Sequence, residues 1–122
     1  MKRKPIPKRI RELVYNKCNG HCGYCGCELE YKDMQVDHIE SVYAAEIYKK
    51  EVDDTIDNYM PSCRMCNYYK HSSTIEEFRH ALGNMLMRNV QRPFDFRLAQ
   101  KYGMVKVEDW DGKFYFEKLK EK

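Results

Sequence analysis

The sequence lacks the features of a membrane-spanning or exported protein. No stretch of its 122 residues approaches the roughly 18 consecutive apolar residues that a membrane helix needs. The basic N-terminal segment, MKRKPIPKRI, is followed by no apolar region of the kind that signal peptides carry. Repeats and low-complexity segments are also missing, and a hydrophobic content of 43% argues against wholesale disorder. Together these features predict a cytoplasmic protein with no membrane partner.

Cysteine is abundant, but not enough to define a disulfide-stapled mini-protein. There are six in 122 residues, below the density typical of such scaffolds. In a reducing cytosol thiols stay unpaired. The alternative is a secreted protein with three disulfides, and it requires an export signal that the sequence does not show. Cysteines in pairs separated by two residues therefore indicate a metal site.

Charge is distributed unevenly along the chain. Residues 1–11 carry six Lys or Arg and no acidic residue, whereas the net charge of the whole chain is +3. The rest of the chain therefore sums to −3. A basic segment at the N-terminus of an otherwise slightly acidic chain suggests contact with a polyanion. The alternative is a solvated tail without a partner.

Periodicity and turn residues predict a mixed α and β chain. The predicted elements are a helix over 8–17, two short strands or a hairpin over 31–40, a short helix within 41–54, a loop over 55–63, helices over 63–70, 73–90 and 93–103, and a hairpin over 104–119. The apolar stripe of the 73–90 helix is interpreted as core, and Gly83 is expected to disturb it. The last hairpin is predicted from its Asp111-Gly112 turn.

Two Cys-x-x-Cys pairs lie 41 positions apart. Zn²⁺ prefers four ligands in a tetrahedron and binds thiolates readily. One ion bound by both pairs would tie together the ends of a long loop. The binding of that ion would supply much of the folding free energy. We therefore predict a structural Zn²⁺ on Cys22, Cys25, Cys63 and Cys66. Competing candidates for a ligand position are Cys18, Cys27 and His21.

Polar residues between and after the cysteine pairs have the chemistry of a hydrolytic site. Histidine is the natural base near neutral pH, and carboxylate and amide oxygens suit Mg²⁺. Adjacent strand residues point to opposite faces, so Asp37 and His38 would serve different partners. Asn67 follows Cys66 and points about 100° further round a helix, so it can face a second ion.

The segments CGYCG, VDHIE, DNYMPSCRMCNYYK and TIEEFR, in this order, resemble the HNH endonucleases of bacteria and phages over residues 18–82. The resemblance implies an α+β fold: a ββα-metal (His-Me finger, treble-clef-like) core stapled by a Cys₄ zinc site, with flanking helices and the C-terminal hairpin. It implies an endonuclease that hydrolyses DNA phosphodiesters with Mg²⁺ or Mn²⁺. The implied contacts are made mainly to the sugar-phosphate backbone of the DNA. The expected division is a flexible basic arm (1–7), a nuclease domain (8–90) and an extension packed on it (91–122).

The resemblance also implies roles for individual residues. His38 is the general base, Asn58 fixes the loop and helps orient that base, and Asn67 occupies the final motif position. The implied ligands of the catalytic ion are Asp37, Asn67 and His71, the last also being a possible phosphate contact. Glu40 and the following SVYAAEIYKK replace a Pro and a Gly-rich turn that are common in the family.

Each of these residues has a structural alternative. Asp37 could cap a strand end, His38 could be a satisfied core histidine, and Asn58 could be a turn residue. Asn67 could be a polar residue at a helix start.

Other residues and the whole chain also have alternatives. Lys70, Arg64 and Arg79 are interpreted as phosphate contacts or solvated charges. At the level of the protein, the alternatives are a non-catalytic Cys₄ zinc module that binds nucleic acid and a Cys₄ iron electron carrier. The sequence carries no prediction of the oligomeric state.

Overall fold

A computed structural model describes residues 5–40 and 56–121. The helices are α1 (Lys8–Lys17), α2 (Arg64–Lys70), α3 (Ile75–His80), α4 (Met87–Gln91), α5 (Phe94–Lys101) and α6 (Tyr115–Lys120). The strands are β1 (Gln35–His38) and β2 (Tyr59–Ser62), and one-turn 3₁₀ helices span Tyr31–Asp33 and Ile56–Asn58. None of the described helices is long and apolar enough to cross a membrane. This mixture confirms the α+β class; the short helix predicted within 41–54 lies outside the described residues.

The described chain forms two compact units. The first contains the residues up to Thr74 and those from Phe114 onward, and the second is Ile75–Lys113. The sheet, α1, α2 and α6 belong to the first unit.

Helix α1 lies where the sequence predicts it. It begins after Pro7, whose carbonyl accepts the N–H of Arg11 at 3.0 Å, and Gly20 at φ +76° follows its end. Val14 on its apolar face is fully buried in a core cluster with Leu29, Met34 and Tyr59. Burying a side chain of this size stabilises the fold by about 1.5–3 kcal/mol.

The two strands form one antiparallel ladder, in which Asp37 lies opposite Met60 and His38 opposite Tyr59. The hairpin predicted within 31–40 is therefore wrong, because the partner of β1 is a segment that was predicted to be loop. Local periodicity misses this pairing, since the strands are far apart in sequence and β2 contains Pro61. Proline is tolerated on an edge strand, and here the carbonyl of Pro61 accepts the N–H of Gly23 at 2.7 Å.

The C-terminal hairpin predicted over 104–119 is also wrong. Residues 105–111 have no regular structure and α6 follows, although Gly112 keeps a turn conformation at φ +80°. The N–H of Phe114 donates to the Glu117 side chain at 2.8 Å. The N–H groups of Tyr115 and Phe116 donate to carbonyls of residues 24 and 23, at 3.1 and 2.9 Å. These acceptors satisfy amides that a helix start leaves unpaired, so tertiary contacts select a helix over a hairpin.

The second unit contains the predicted 73–90 helix in altered form. Helices α3 and α4 are joined by a π-helical segment, Ala81–Leu86, around Gly83, where the sequence predicts a disturbance. Phe78 is buried, but Met85 and Val90 are 49% and 38% exposed. The prediction that the whole stripe is core is therefore wrong at those two positions. Helix α5 ends near Gly103, at φ +75°, as predicted.

Candidate active site

The first cysteine pair lies in a tight turn within a hairpin-like loop. The backbone of His21 bridges to that of Glu28, and the N–H of Cys22 donates to the carbonyl of Cys27 at 2.9 Å. A Cβ atom at Gly23 would overlap the sulfur of Met60, so a larger residue here would force that side chain to shift. The turn thus packs directly against strand β2.

The second cysteine pair begins helix α2 and meets the first. The Cys63 sulfur accepts the N–H of Cys66 at 3.4 Å, and the N–H of Cys63 donates to the Cys22 sulfur at 3.3 Å. All four sulfurs of Cys22, Cys25, Cys63 and Cys66 lie within 4.8 Å of one another. The Cys25 and Cys63 sulfurs are 3.9 Å apart, close to the spacing of about 3.8 Å that tetrahedral Zn–S bonds of about 2.3 Å impose. The group is compatible with zinc.

Two cysteines lie outside this group. Cys18 is buried with its sulfur 3.9 Å from that of Met60, and Cys27 is exposed. The preference for the two matched pairs over these competitors agrees with the geometry.

Three of the four thiols have pKa values displaced from the ordinary range. A hydrogen bond from the Cys66 thiol, helped by the amide of Cys63, lowers the pKa of Cys22 to about 4. Burial raises the pKa of Cys25 to about 12, and the Cys22 thiolate raises that of Cys66. A bound cation would therefore have to displace protons from the Cys25 and Cys66 thiols.

Asp37 is buried between the first cysteine turn and helix α2. Its Oδ2 atom accepts a hydrogen bond from the Tyr24 hydroxyl at 2.5 Å. The same atom forms an ion pair with Lys70 Nζ at 3.0 Å. Burial, followed by the Asp37 charge, raises the pKa of Tyr24, so the phenol stays protonated and donates. Oδ1 makes no hydrogen bond within the described residues, and none of their buried side-chain oxygens lacks a partner. Oδ1 is therefore not completely enclosed, although the Asp37 side chain as a whole is only 7% exposed.

The Lys70 side chain is not accessible to a phosphate, so its predicted role as a phosphate contact is wrong. Its side chain is 0% exposed, and Nζ also donates to the carbonyl of His38 at 3.0 Å. Lys70 thus holds both members of the Asp37-His38 pair. Sequence reasoning missed this role and that of Tyr24. The signal for Lys70 in the sequence was its spacing. Lys70 lies one helical turn after Cys66 and is therefore on the same face of the helix as that cysteine.

His38 lies on the opposite face of β1 from Asp37, as strand alternation predicts. The residue is 4% exposed, and its ring packs edge-on against the cross-strand ring of Tyr59 at 5.2 Å. Just beyond it, the Asn58 side chain accepts the N–H of Glu40 at 2.8 Å and donates to its carbonyl at 3.0 Å. Asn58 therefore fixes the backbone that follows His38, as its predicted role requires.

Asn67 lies on the part of α2 that faces β1. It is partly exposed, and its carboxamide makes no hydrogen bond to any described residue. Together with Gln35 it lines a surface depression of about 380 Å³. Gln35 and Asp37 share one face of β1 because they are two residues apart. Gln35, which shares the depression with Asn67, thus lies on the face of the strand that carries Asp37.

His71 ends α2 in an unusual conformation. It is exposed, with φ +52°, and its Nδ1 accepts the N–H of Ser72 at 2.9 Å. In the described part of the chain, Asp37, His38 and His71 do not form a second cluster resembling that of the cysteines. The predicted role of His71 as a ligand of the catalytic ion stays a prediction.

Comparison with known proteins agrees with this arrangement. Residues 22–73 match the family model of the HNH endonucleases, and this segment contains both cysteine pairs. A protein of Bacillus subtilis (strain 168), named "SPbeta prophage-derived putative HNH endonuclease YoqL", is 30% identical over 77 residues. The match covers 57% of this chain and 33% of the relative, so the chain spans about a third of that relative's length. No solved structure matches the chain. Over residues 22–73, the chain is therefore similar to the HNH endonucleases.

Proposed function

We propose that the protein is a metal-dependent endonuclease that hydrolyses DNA phosphodiesters through a ββα-metal core formed by β1, β2 and α2. One observation carries the proposal. Asp37 Oδ1 and the Asn67 carboxamide lack hydrogen bonds within the described residues, and they belong to facing elements beside a buried histidine. Carboxylate and amide oxygens that no protein group engages are available to coordinate a divalent ion.

The four-cysteine group would hold a structural Zn²⁺. Its four sulfurs lie within 4.8 Å of one another, with one pair at 3.9 Å, which is compatible with coordination of a single ion. Thiolate ligands favour Zn²⁺ over Mg²⁺ or Mn²⁺. Zinc would join the first cysteine turn to the start of α2. The ion would thereby fix Asn67, which directly follows Cys66.

The catalytic ion would be Mg²⁺ or Mn²⁺, held by Asp37 and Asn67. Both offer hard oxygen atoms, which these ions prefer. When bound, such an ion neutralises charge on the phosphate and on the departing 3′-oxygen. His71 is the candidate third ligand or a phosphate contact through Nε2, because its Nδ1 is engaged by Ser72.

His38 would act as the general base. Its imidazole would accept a proton from the attacking water, a function suited to histidine near neutral pH. Its ring packs against Tyr59 and its carbonyl accepts a hydrogen bond from Lys70. The bonds between Asn58 and Glu40 fix the backbone that follows it.

The DNA backbone would pass over the depression beside Asn67. Arg64 lines it and makes no ion pair or hydrogen bond with the described residues, so its guanidinium is available to a phosphate. Tyr68, 83% exposed, offers a ring next to it. Together with the basic residues of segment 1–11, such contacts make binding weaken steeply with salt.

A cleavage assay tests the proposal. Zinc-loaded protein is incubated with supercoiled plasmid and Mg²⁺ or Mn²⁺, alongside His38→Ala and the control His80→Ala, an exposed histidine of the second unit. Loss of the base should slow cleavage by about 10²- to 10⁴-fold, with zinc content unchanged and the control unaffected. Equal cleavage by the parent and His38→Ala would favour the non-catalytic zinc module.

A further inference from the structure

The Asp37 carboxylate is held asymmetrically. Both described donors, the Tyr24 hydroxyl at 2.5 Å and Lys70 Nζ at 3.0 Å, bind the same atom, Oδ2. The other oxygen, Oδ1, has no partner among the described residues. A carboxylate held in this way presents one defined oxygen, because two donors on Oδ2 oppose rotation of the group.

The two donors come from the two halves of the four-cysteine group. Tyr24 lies between Cys22 and Cys25 in the first turn, and Lys70 lies four residues after Cys66 on the helix that the second turn begins. The Tyr24 ring is fixed in turn, since it packs edge-on against Phe114 and Phe116 at 5.5 and 6.2 Å. Each half of the cysteine group thus delivers one donor to the same oxygen.

We propose that Tyr24 and Lys70 are positioning residues that anchor Oδ2 of Asp37 and so present Oδ1 to the divalent ion, coupling the four-cysteine group to the catalytic metal. The proposal rests on the proposed function, because it takes Asp37 as a metal ligand. Groups that orient a ligand in this way typically contribute 10- to 100-fold to metal affinity or activity. A purely structural hydroxyl would instead affect stability alone.

Tyr24→Phe is the sharpest test, because it removes one oxygen and keeps the ring packed against Phe114 and Phe116. Its matched control is Tyr15→Phe, which removes a hydroxyl that donates to the Leu29 carbonyl at 2.6 Å. Binding of Mn²⁺ to the zinc-loaded full chain is measured by the loss of the free Mn²⁺ signal in electron paramagnetic resonance. Zinc content, thermal unfolding without Mn²⁺, and cleavage at rising Mn²⁺ are measured in parallel.

For Tyr24→Phe, the Mn²⁺ dissociation constant should rise about 10-fold or more, with one zinc retained and cleavage recovering at high Mn²⁺. Tyr15→Phe should bind Mn²⁺ like the parent. A change below about threefold in Tyr24→Phe, or loss of its zinc, overturns the anchoring role. A parent protein that neither binds Mn²⁺ nor cuts DNA refutes the proposed function instead, so the two failures are distinguishable.

Discussion

The buried ion pair between Lys70 and Asp37 gives a stability prediction that is independent of catalysis. Their charged atoms are 3.0 Å apart, and the side chains are 0% and 7% exposed. At an effective dielectric constant of about 20, the attraction is about 5 kcal/mol before the desolvation cost is subtracted. Lys70→Met removes the cation while leaving the carboxylate buried, and breaking a buried pair in this way costs about 3–5 kcal/mol.

That loss is a large share of the total, since domains are typically stable by about 5–15 kcal/mol. The assay is urea unfolding of zinc-loaded protein without a divalent ion. Lys32→Met is the control, because Lys32 pairs with Glu30 at the surface, where both side chains are more than 70% exposed, and such pairs contribute about 0.2–1 kcal/mol. Removing both charges, in Lys70→Met with Asp37→Asn, should cost less than Lys70→Met alone.

A result in which Lys70→Met unfolds at the same urea concentration as Lys32→Met would refute the reasoning. It would mean that Lys70 is solvated in solution and that Asp37 is oriented by Tyr24 alone. A double variant less stable than Lys70→Met would refute the pairing of the two charges.

Two further predictions concern the cysteine turns. Cys25→Ser should lose zinc and unfold the first unit, whereas Cys27→Ser should keep one zinc per chain, because only the first of these two cysteines belongs to the four-sulfur group. Elemental analysis measures the zinc content and circular dichroism measures the folding of each variant. Equal zinc contents in the two variants would contradict the predicted set of ligands. Gly23→Ala should destabilise by about 1–3 kcal/mol, since the added methyl overlaps the Met60 sulfur and overpacking costs that much. Urea unfolding measures this loss of stability. If the overlap is the cause, adding Met60→Ala to Gly23→Ala should recover part of the lost stability, because it removes the overlapping sulfur.

Several features could be predicted from the sequence because they depend on neighbours along the chain. Helices α1 and α5 follow from apolar spacing and from terminal glycines, which act within one or two turns. Helix α2 was likewise expected to start at the second cysteine pair and end at Lys70. The four-cysteine group was predictable despite its long range, since two matched Cys-x-x-Cys turns favour a shared ion wherever the chain brings them together.

Tertiary structure decided the rest, through pairings that no local window contains. Strand β2 forms because β1 supplies its hydrogen bonds, and α6 forms because carbonyls of the first cysteine turn accept its N–H groups. Lys70 looks like a surface cation in the sequence. Its burial is possible only because Asp37 approaches it from strand β1, and a buried charge is tolerated only beside its partner.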